Sequence, residues 1–209
     1  MPGFGDLEAV STPAGQNVGS FRALAGGKVE KVAIARLVFG PGAEYNYIRV
    51  IPLPRYRTPQ FVCEGMTIAG ATTFSVDLYP SVDLPADPEH FARYHDLLES
   101  VYVRACEAKA FSWRPSKIAW VRSISSPYFF MSASEDQSAI QELATSYFGA
   151  WMEFHSSEPP VAPEAEAAIR RRRETAIDGL LAWDPDGDKV IQVLGKELFE
   201  RLFNAMLRA

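Results

Sequence analysis

Four runs of β-forming residues joined by connections too short for a crossover constrain this chain more than any other feature. Residues 29–39, 45–52, 61–69 and 72–79 are rich in Val, Ile, Thr and aromatics, and Gly40-Pro41-Gly42, the segment 54–59 and Gly70-Ala71 separate them. Parallel strands need a dozen or more residues to return, so these four predict an antiparallel meander. The fourth run alternates: Phe74, Val76 and Leu78 point one way, and Thr73, Ser75, Asp77 and Tyr79 the other. With a period of two, that is one apolar face and one polar wall. Residues 1–27, rich in Gly, Pro, Ser and Ala, read as an irregular arm.

Beyond Pro80 and Pro85 the period lengthens. Phe91, Tyr94, His95, Leu98, Val101, Tyr102 and Ala105 recur at helical spacing. Ser134-Glu-Asp-Gln137 reads as a capping box opening a helix whose stripe is Ile140, Leu143, Ala144, Tyr147, Phe148, Trp151 and Phe154. Residues 111–132 form a mixed connection. A third helix is expected over 164–183, and a last one carries Ile191, Leu194, Leu198, Leu202 and Met206. Strands first and helices later predict an α+β fold, a three-layer α/β/α sandwich with a central antiparallel sheet, in one domain over 1–209.

Composition removes several function classes. With 21 basic and 26 acidic residues the net charge is −5, which argues against a nucleic-acid binder. No apolar stretch reaches membrane-spanning length, and the N-terminus has neither a basic nor an apolar leader region, so a cytoplasmic protein is expected. Cys63 and Cys106 form no CxxC and read as thiols in a reducing compartment. No nucleotide-binding or serine-hydrolase motif is present.

His90, His95 and His155 make no metal-ligand spacing, and His95 reads as a core residue on the apolar stripe. Asp184, Asp186 and Asp188 fail as a calcium loop, because Lys189 and Gly195 stand where glycine and glutamate are required. They read instead as a turn in which Asp184 or Asp186 caps the last helix. Arg170, Arg171, Arg172 and Arg173 form a solvated basic face or a docking patch for an acidic partner. Asp77 is the most informative residue. A carboxylate is disfavoured in a strand, and if helices cover its face, desolvation raises its pKa towards neutrality, where it can donate a proton. If the face is open to solvent, it is an ordinary surface acid.

The segment 45–52, then Pro59-Gln-Phe61, then 70–80 ending Ser-Val-Asp77-Leu-Tyr-Pro80, resembles the ferredoxin-dependent bilin reductases, in which a Pro-x-Phe segment leads to a strand ending Asp-Leu-x-Pro. Ser125-Ser-Pro-Tyr-Phe-Phe130 is similar to their Phe-Ser-x-Tyr-x-x-Phe region, and Asp184 followed by Gly195-Lys-Glu to their Asp-x₁₀-Gly element. Ser132 stands where the family carries Arg, and Leu198 where it carries Trp.

The resemblance, over roughly residues 45–209, implies a bilin held between the sheet and the C-terminal helices. Asp77 would be the central proton donor and Asp184 the second acid. With a one-residue gap placed late, the favoured alignment, Asn46 would hydrogen-bond the tetrapyrrole; with the gap placed early Tyr47 would take that position, and Ser75 and Phe61 would also contact the substrate. Arg49 or Arg55 would hold a propionate. No cofactor is expected to be bound. Reduced ferredoxin would supply electrons and dock on Arg170–Arg173, and the protein would act as a monomer. The substrate implied is biliverdin. The rivals are a linear chlorophyll catabolite as substrate, and a tetrapyrrole carrier without activity.

Overall fold

The computed structural model describes residues 7–183 and 187–208. Eight strands form one wholly antiparallel sheet: β1 (Val10–Ser11), β2 (Asn17–Gly26), β3 (Val29–Gly40), β4 (Ala43–Pro52), β5 (Gln60–Ile68), β6 (Ala71–Tyr79), β7 (Ser112–Trp113) and β8 (Phe130–Ser134). Their order is β1-β2-β3-β4-β5-β6-β8-β7, so the meander runs unbroken from β1 to β6.

The alternation in β6 sorts the layers. Phe74, Val76 and Leu78 enter a core with Tyr94 and Leu98 of α1 (Pro88–Glu107) and with Tyr147, Trp151 and Phe154 of α3 (Gln137–Ser157). The reverse face packs against Ile177 of α4 (Pro163–Trp183), Leu194 of α5 (Gly187–Leu194) and Leu202, Ala205 and Met206 of α6 (Lys196–Leu207). A short helix, α2 (Ala119–Ile124), meets α4, where Trp120 Nε1 donates to the Ala176 carbonyl at 3.0 Å. The molecule is therefore an α/β/α sandwich with two cores of comparable extent. Each buried large apolar side chain contributes about 2 kcal/mol.

Four local expectations are corrected. The segment read as an irregular arm supplies β1 and β2, and Leu7, Val10, Val18 and Phe21 are buried in the second core. Its composition is poor for a strand, but the free edge of β3 supplies the ladder, and pairing outweighs propensity. Gly19 shows why a small residue stands there: a Cβ at this position, with φ of 151°, would lie 2.0 Å from the Arg36 carbonyl oxygen.

The last helix is two. Gly195, at φ 77° and ψ 151°, occupies a conformation open to glycine and breaks the run between α5 and α6. The cap of α3 is Asp136, whose side chain accepts from Ala139 N at 3.0 Å, rather than Ser134. Ser134 Oγ donates to the Ala110 carbonyl, and Gln137 Nε2 reaches Thr72 Oγ1.

Finally, His90 rather than His95 is the core histidine. His95 is exposed, within reach of Tyr128 and Glu99, while His90 packs on Tyr94 and Phe154 with both ring nitrogens unpartnered among the described residues. The buried stripe of α1 is His90, Tyr94, Leu98 and Ala105: Tyr94, Leu98 and Ala105 stand as expected, and His90 takes the place of Phe91 and His95, which are exposed.

Candidate functional site

Strand register assembles a polar group on the sheet face beneath α4, α5 and α6. Ala33, Arg49, Val62 and Asp77 are direct neighbours across β3 to β6, and the adjacent row is Ala35, Tyr47, Glu64 and Ser75. Two residues along, Lys31 pairs with Ile51 and Gln60 with Tyr79. Because side chains alternate with period two, all of these project to one side. The small Ala33 and Ala35 leave room for their long neighbours.

Asp77 is 1% exposed. Its Oδ1 accepts from Leu78 N at 2.8 Å and from Ser126 Oγ at 2.5 Å, and its Oδ2 accepts from Ser126 N at 3.0 Å. These bonds favour the carboxylate, but burial outweighs them and pushes the carboxyl up to about 7. The group is thus poised to hold or release a proton at neutral pH. Sequence reasoning missed Ser126. It lies 49 residues from Asp77, in the turn after α2, and the one signal for it is its place in the Ser125–Phe130 segment that carries the resemblance.

The neighbouring polar groups are also held. Glu64, likewise missed, accepts from Tyr45 Oη at 2.7 Å and from Ser75 Oγ at 3.2 Å. Arg49 is buried; its Nε donates to Gln60 Oε1 at 2.8 Å, and its guanidinium lies 5.7 Å from the centre of the Tyr79 ring. Lys31 Nζ donates to the Ala205 carbonyl at the end of α6 at 2.8 Å, and burial lowers its pKa to about 8. Tyr47 Oη donates to the Met206 carbonyl at 3.5 Å, and burial raises the phenol.

The expected site residues divide. Tyr47, Arg49 and Ser75 share a face with Asp77. Asn46 and Phe61 do not: by register they lie on the α1/α3 side, where Asn46 Nδ2 donates to Glu44 and Phe61 meets the Phe148 ring at 5.3 Å. The favoured placement at Asn46 is therefore corrected: of the two, only Tyr47 reaches the Asp77 face. Arg55 lies over the Tyr56 ring, away from this group. Asp184 lies outside the described residues.

The basic run is not one patch. Arg171 is exposed, and Arg170 pairs with Glu30 at 3.6 Å and Glu166 at 3.8 Å. Arg172 approaches the Pro80 carbonyl. Arg173 is turned inward, donating to the Pro52 carbonyl at 2.6 Å, Ser81 Oγ at 3.0 Å and the Thr58 carbonyl at 3.4 Å. A helix turns by about 100° per residue, so four consecutive arginines cannot face one partner.

Two concavities flank the sheet. One of about 240 Å³ lies on the Asp77 side, between the end of the sheet (Ile51, Gln60), α4 (Arg173, Ile177) and the end of α6 (Leu207). A larger one of about 550 Å³ lies mainly against the opposite face, beside Asn46, Cys63, Phe74 and Ile140. Size alone would favour the larger. The polar group around Asp77 is divided between them, with Tyr47 and Glu64 bordering the larger and Gln60 the smaller, while Asp77 itself lines neither. Burial pushes the Cys63 thiol up to about 12, which leaves it without nucleophilic character at neutral pH. Among the described residues there is no His/Cys/Asp/Glu cluster fit to hold a metal, and no helix is long and apolar enough to cross a membrane.

The solved structure of tomato phytochromobilin synthase in complex with biliverdin matches this chain with a TM-score of 0.83, over 100% of this chain and 77% of that one. Sequence identity is 14%, so the likeness is one of fold: both are α/β/α sandwiches on a large antiparallel sheet. No protein-family model matches the chain, and no curated protein does.

Proposed function

We propose that this protein reduces an open-chain tetrapyrrole, biliverdin in the first instance, with electrons delivered singly by reduced ferredoxin and a proton delivered by Asp77. The observation that carries the reading is the Asp77 carboxyl, buried beneath the C-terminal helices with a pKa near 7. The shared fold with a biliverdin-binding enzyme supports the choice of ligand.

The chemistry asks for this kind of acid. Reduction of one carbon–carbon double bond consumes two electrons and two protons. If the electrons arrive one at a time, the substrate passes through a radical, and each proton must reach a chosen carbon. A carboxyl with a pKa near 7 is protonated in a large fraction of molecules at neutral pH and still acidic enough to transfer. Asp77 delivers the first proton in this reading. Ser126, donating to the carboxylate left behind, stabilises it and fixes the direction in which the acid points. Asp184 is proposed as the second acid from the sequence resemblance alone. Of the basic run, Arg171 and Arg170 remain on the surface of α4 for an acidic electron donor.

The reading requires α5 and α6 to part from the sheet, since Asp77 is buried and the nearby space of about 240 Å³, between α4 and the end of α6, neither reaches it nor matches the ~300–1,000 Å³ of small-molecule clefts. The Gly195 joint and the polar contacts of Lys31 and Tyr47 with the last turn of α6 are the natural places for that movement.

Anaerobic absorption spectra with biliverdin, before and after adding reduced ferredoxin, test the proposal. Loss of the bound pigment band with growth of a blue-shifted product is expected. Asp77→Asn should lower product formation at least about 100-fold, as for loss of a general acid, while binding stays within tenfold. Full turnover by that variant would overturn the role of Asp77. A bound spectrum unmoved by ferredoxin would make the protein a carrier, and absence of binding would point to another conjugated substrate, such as a linear chlorophyll catabolite.

A further inference from the structure

Three of the four buried side-chain polar atoms without a partner among the described residues lie on one face of α1: Nδ1 and Nε2 of His90 and Oη of Tyr94. The fourth, Nε of Arg173, belongs to a residue that also feels Tyr94. His90 and Tyr94 stand one turn apart, 1% and 0% exposed, with ring centres 5.8 Å apart. Leaving such groups unpaired is costly, and native structures keep few of them. The surroundings of the two residues run in one direction. The charges that act on His90 are Glu158, Arg57, Asp87 and Arg93, the ionic network at the ends of α1 and α3. Those that act on Tyr94 are Asp77 first, then Arg172, Arg93 and Glu158. Tyr94 packs in one core with Val76 and Leu78, the two strand neighbours of Asp77. The pair therefore spans from a network that reaches solvent, where Arg93 Nη2 donates to Ser157 Oγ at 2.9 Å, to the buried acid.

Asp77 has a matching need. Leu78 N, Ser126 N and Ser126 Oγ all donate to it, which suits the carboxylate. Its neutral form carries an O–H that needs an acceptor. Ser126 Oγ already accepts from Tyr128 N, and Oδ2 of Asp77 takes one bond among the described residues, from Ser126 N. A water between Oδ2 and Tyr94 Oη serves both groups: it accepts from the neutral acid, donates to the carboxylate and pairs the phenol. Buried waters make about three such bonds to groups otherwise unsatisfied. Burial holds the Tyr94 phenol well above its usual range, so it stays neutral and passes a proton on only as it takes one. Tyr147 is the contrast. It is equally buried and also feels Asp77, but its Oη is engaged by the Tyr128 carbonyl at 2.6 Å.

We propose that Tyr94, with His90 behind it and ordered water between the polar groups, is the route by which Asp77 regains its proton from solvent on the α1 side of the sheet. The route rests on the reading of Asp77 as the acid. It lets the face beneath α4 to α6 stay closed while the acid is recharged. In each cycle Asp77 gives one proton to the ligand and is left as a carboxylate. A water returns one proton to Asp77 while taking one from Tyr94 Oη, and Tyr94 takes one from the His90 side. His90 accepts on one ring nitrogen and donates from the other. One proton enters from solvent, and every other group keeps the number it had. Tyr94 does not meet the ligand; it acts through Asp77.

Carbon-13 titration of the Asp77 carboxyl in Tyr94→Phe is the test, with Tyr147→Phe as its control. Loss of a water-mediated bond to the carboxylate should raise the Asp77 midpoint by about one pH unit in Tyr94→Phe. Tyr147→Phe, which loses a bond that Asp77 does not share, should leave the midpoint in place. The melting temperature at pH 8 gives a second sign. A phenol with no partner is better replaced by Phe, which would raise it; a phenol within the route is missed, so Tyr94→Phe should melt below wild type. With biliverdin and reduced ferredoxin, Tyr94→Phe should keep the rate of a first turnover begun from the protonated acid and slow repeated turnover by about tenfold at unchanged KM. An unmoved midpoint or a higher melting temperature in Tyr94→Phe would overturn the route, as would equal midpoint shifts in the two variants or repeated turnover at the wild-type rate. If no bilin is reduced, the titration and the melting temperature still decide: a raised midpoint with lower melting upholds the link from Tyr94 to Asp77 and rejects only the tetrapyrrole.

Discussion

The two faces of this sheet bury polar groups by opposite means. Under α1 and α3 a carboxylate, Glu158, is wholly shielded but receives Arg57 Nε at 3.1 Å and Arg93 Nη1, and Arg57 extends the network to Asp87 at 2.8 Å. Charge there is matched, and the arrangement ties the 54–59 loop to the ends of α1 and α3. Under α4 to α6, Lys31, Arg49 and Arg173 and the near-neutral Asp77 are held by carbonyls, amides and hydroxyls, without ionic partners among the described residues. Matched charge is what a structural network needs. Unmatched charge and a shifted carboxyl raise the cost of folding, and such costs concentrate where a ligand or a proton is to be handled.

The comparison makes stability respond to pH in opposite senses on the two faces. Asp77 has a folded pKa near 7 against about 4 unfolded, so its protonated form contributes stability below pH 4 that is lost as pH rises through 7. By pH 8 that loss amounts to about 4 kcal/mol. Asp77→Asn keeps an acceptor for Leu78 N and a partner for Ser126 Oγ without ionising. It should therefore be more stable than wild type at pH 8 by up to that amount, and close to it at pH 4, in urea unfolding followed across pH.

His90 has the reverse slope. Burial holds its pKa near 4 against 6.5 unfolded, so it contributes stability above pH 6.5 that is lost as pH falls towards 4, by about 3 kcal/mol. Glu158 and Asp87 favour its protonation and Arg57 and Arg93 oppose it, and burial dominates. His90→Phe retains the ring contacts with Tyr94 and Phe154, removes two unpartnered nitrogens, and should flatten the acid limb of the same unfolding series. A variant that still lost stability over pH 6.5 to 4 to the wild-type extent would break the comparison.

The smallest effect expected concerns how the helices of the Asp77 face are held. Gly179 on α4 gives its space to Trp120, whose ring would lie 1.9 Å from a Cβ there. Gly179→Ala should displace that ring, break its bond to the Ala176 carbonyl, and cost about 2 kcal/mol by thermal unfolding. Because neither Gly179 nor Trp120 is a hydrogen-bond partner of Asp77 or a ring neighbour of His90, the pH slopes should stay as in wild type.

The sandwich and the two-faced β6 were legible in the sequence because period two in a short strand and period 3.6 in long helices survive without tertiary information. Asp77 stood out for the same reason: a carboxylate in line with Thr73 and Ser75 marks a polar face whatever covers it. What was lost depended on partners far along the chain. β2 is a strand because β3 offers an edge. Asp77 is cradled by Ser126, 49 residues on, and Arg173 is buried because three acceptors from the 52–81 region close around it. Asn46 and Tyr47 are neighbours in sequence, and a one-residue gap exchanged faces between them, as it does for any strand residue. Composition suggested one basic face at residues 170–173; helical geometry distributed the four side chains between surface and core.

The central claim is that Asp77 is a buried acid poised near neutrality. Carbon-13 NMR of aspartate-labelled protein, titrated from pH 4 to 9 with the Asp77 carboxyl assigned by its loss in Asp77→Asn, tests it most directly. A carboxyl midpoint near pH 7 is the predicted result. A midpoint near pH 4, the value of an ordinary solvated aspartate, would contradict the account and remove Asp77 as a proton donor at neutral pH.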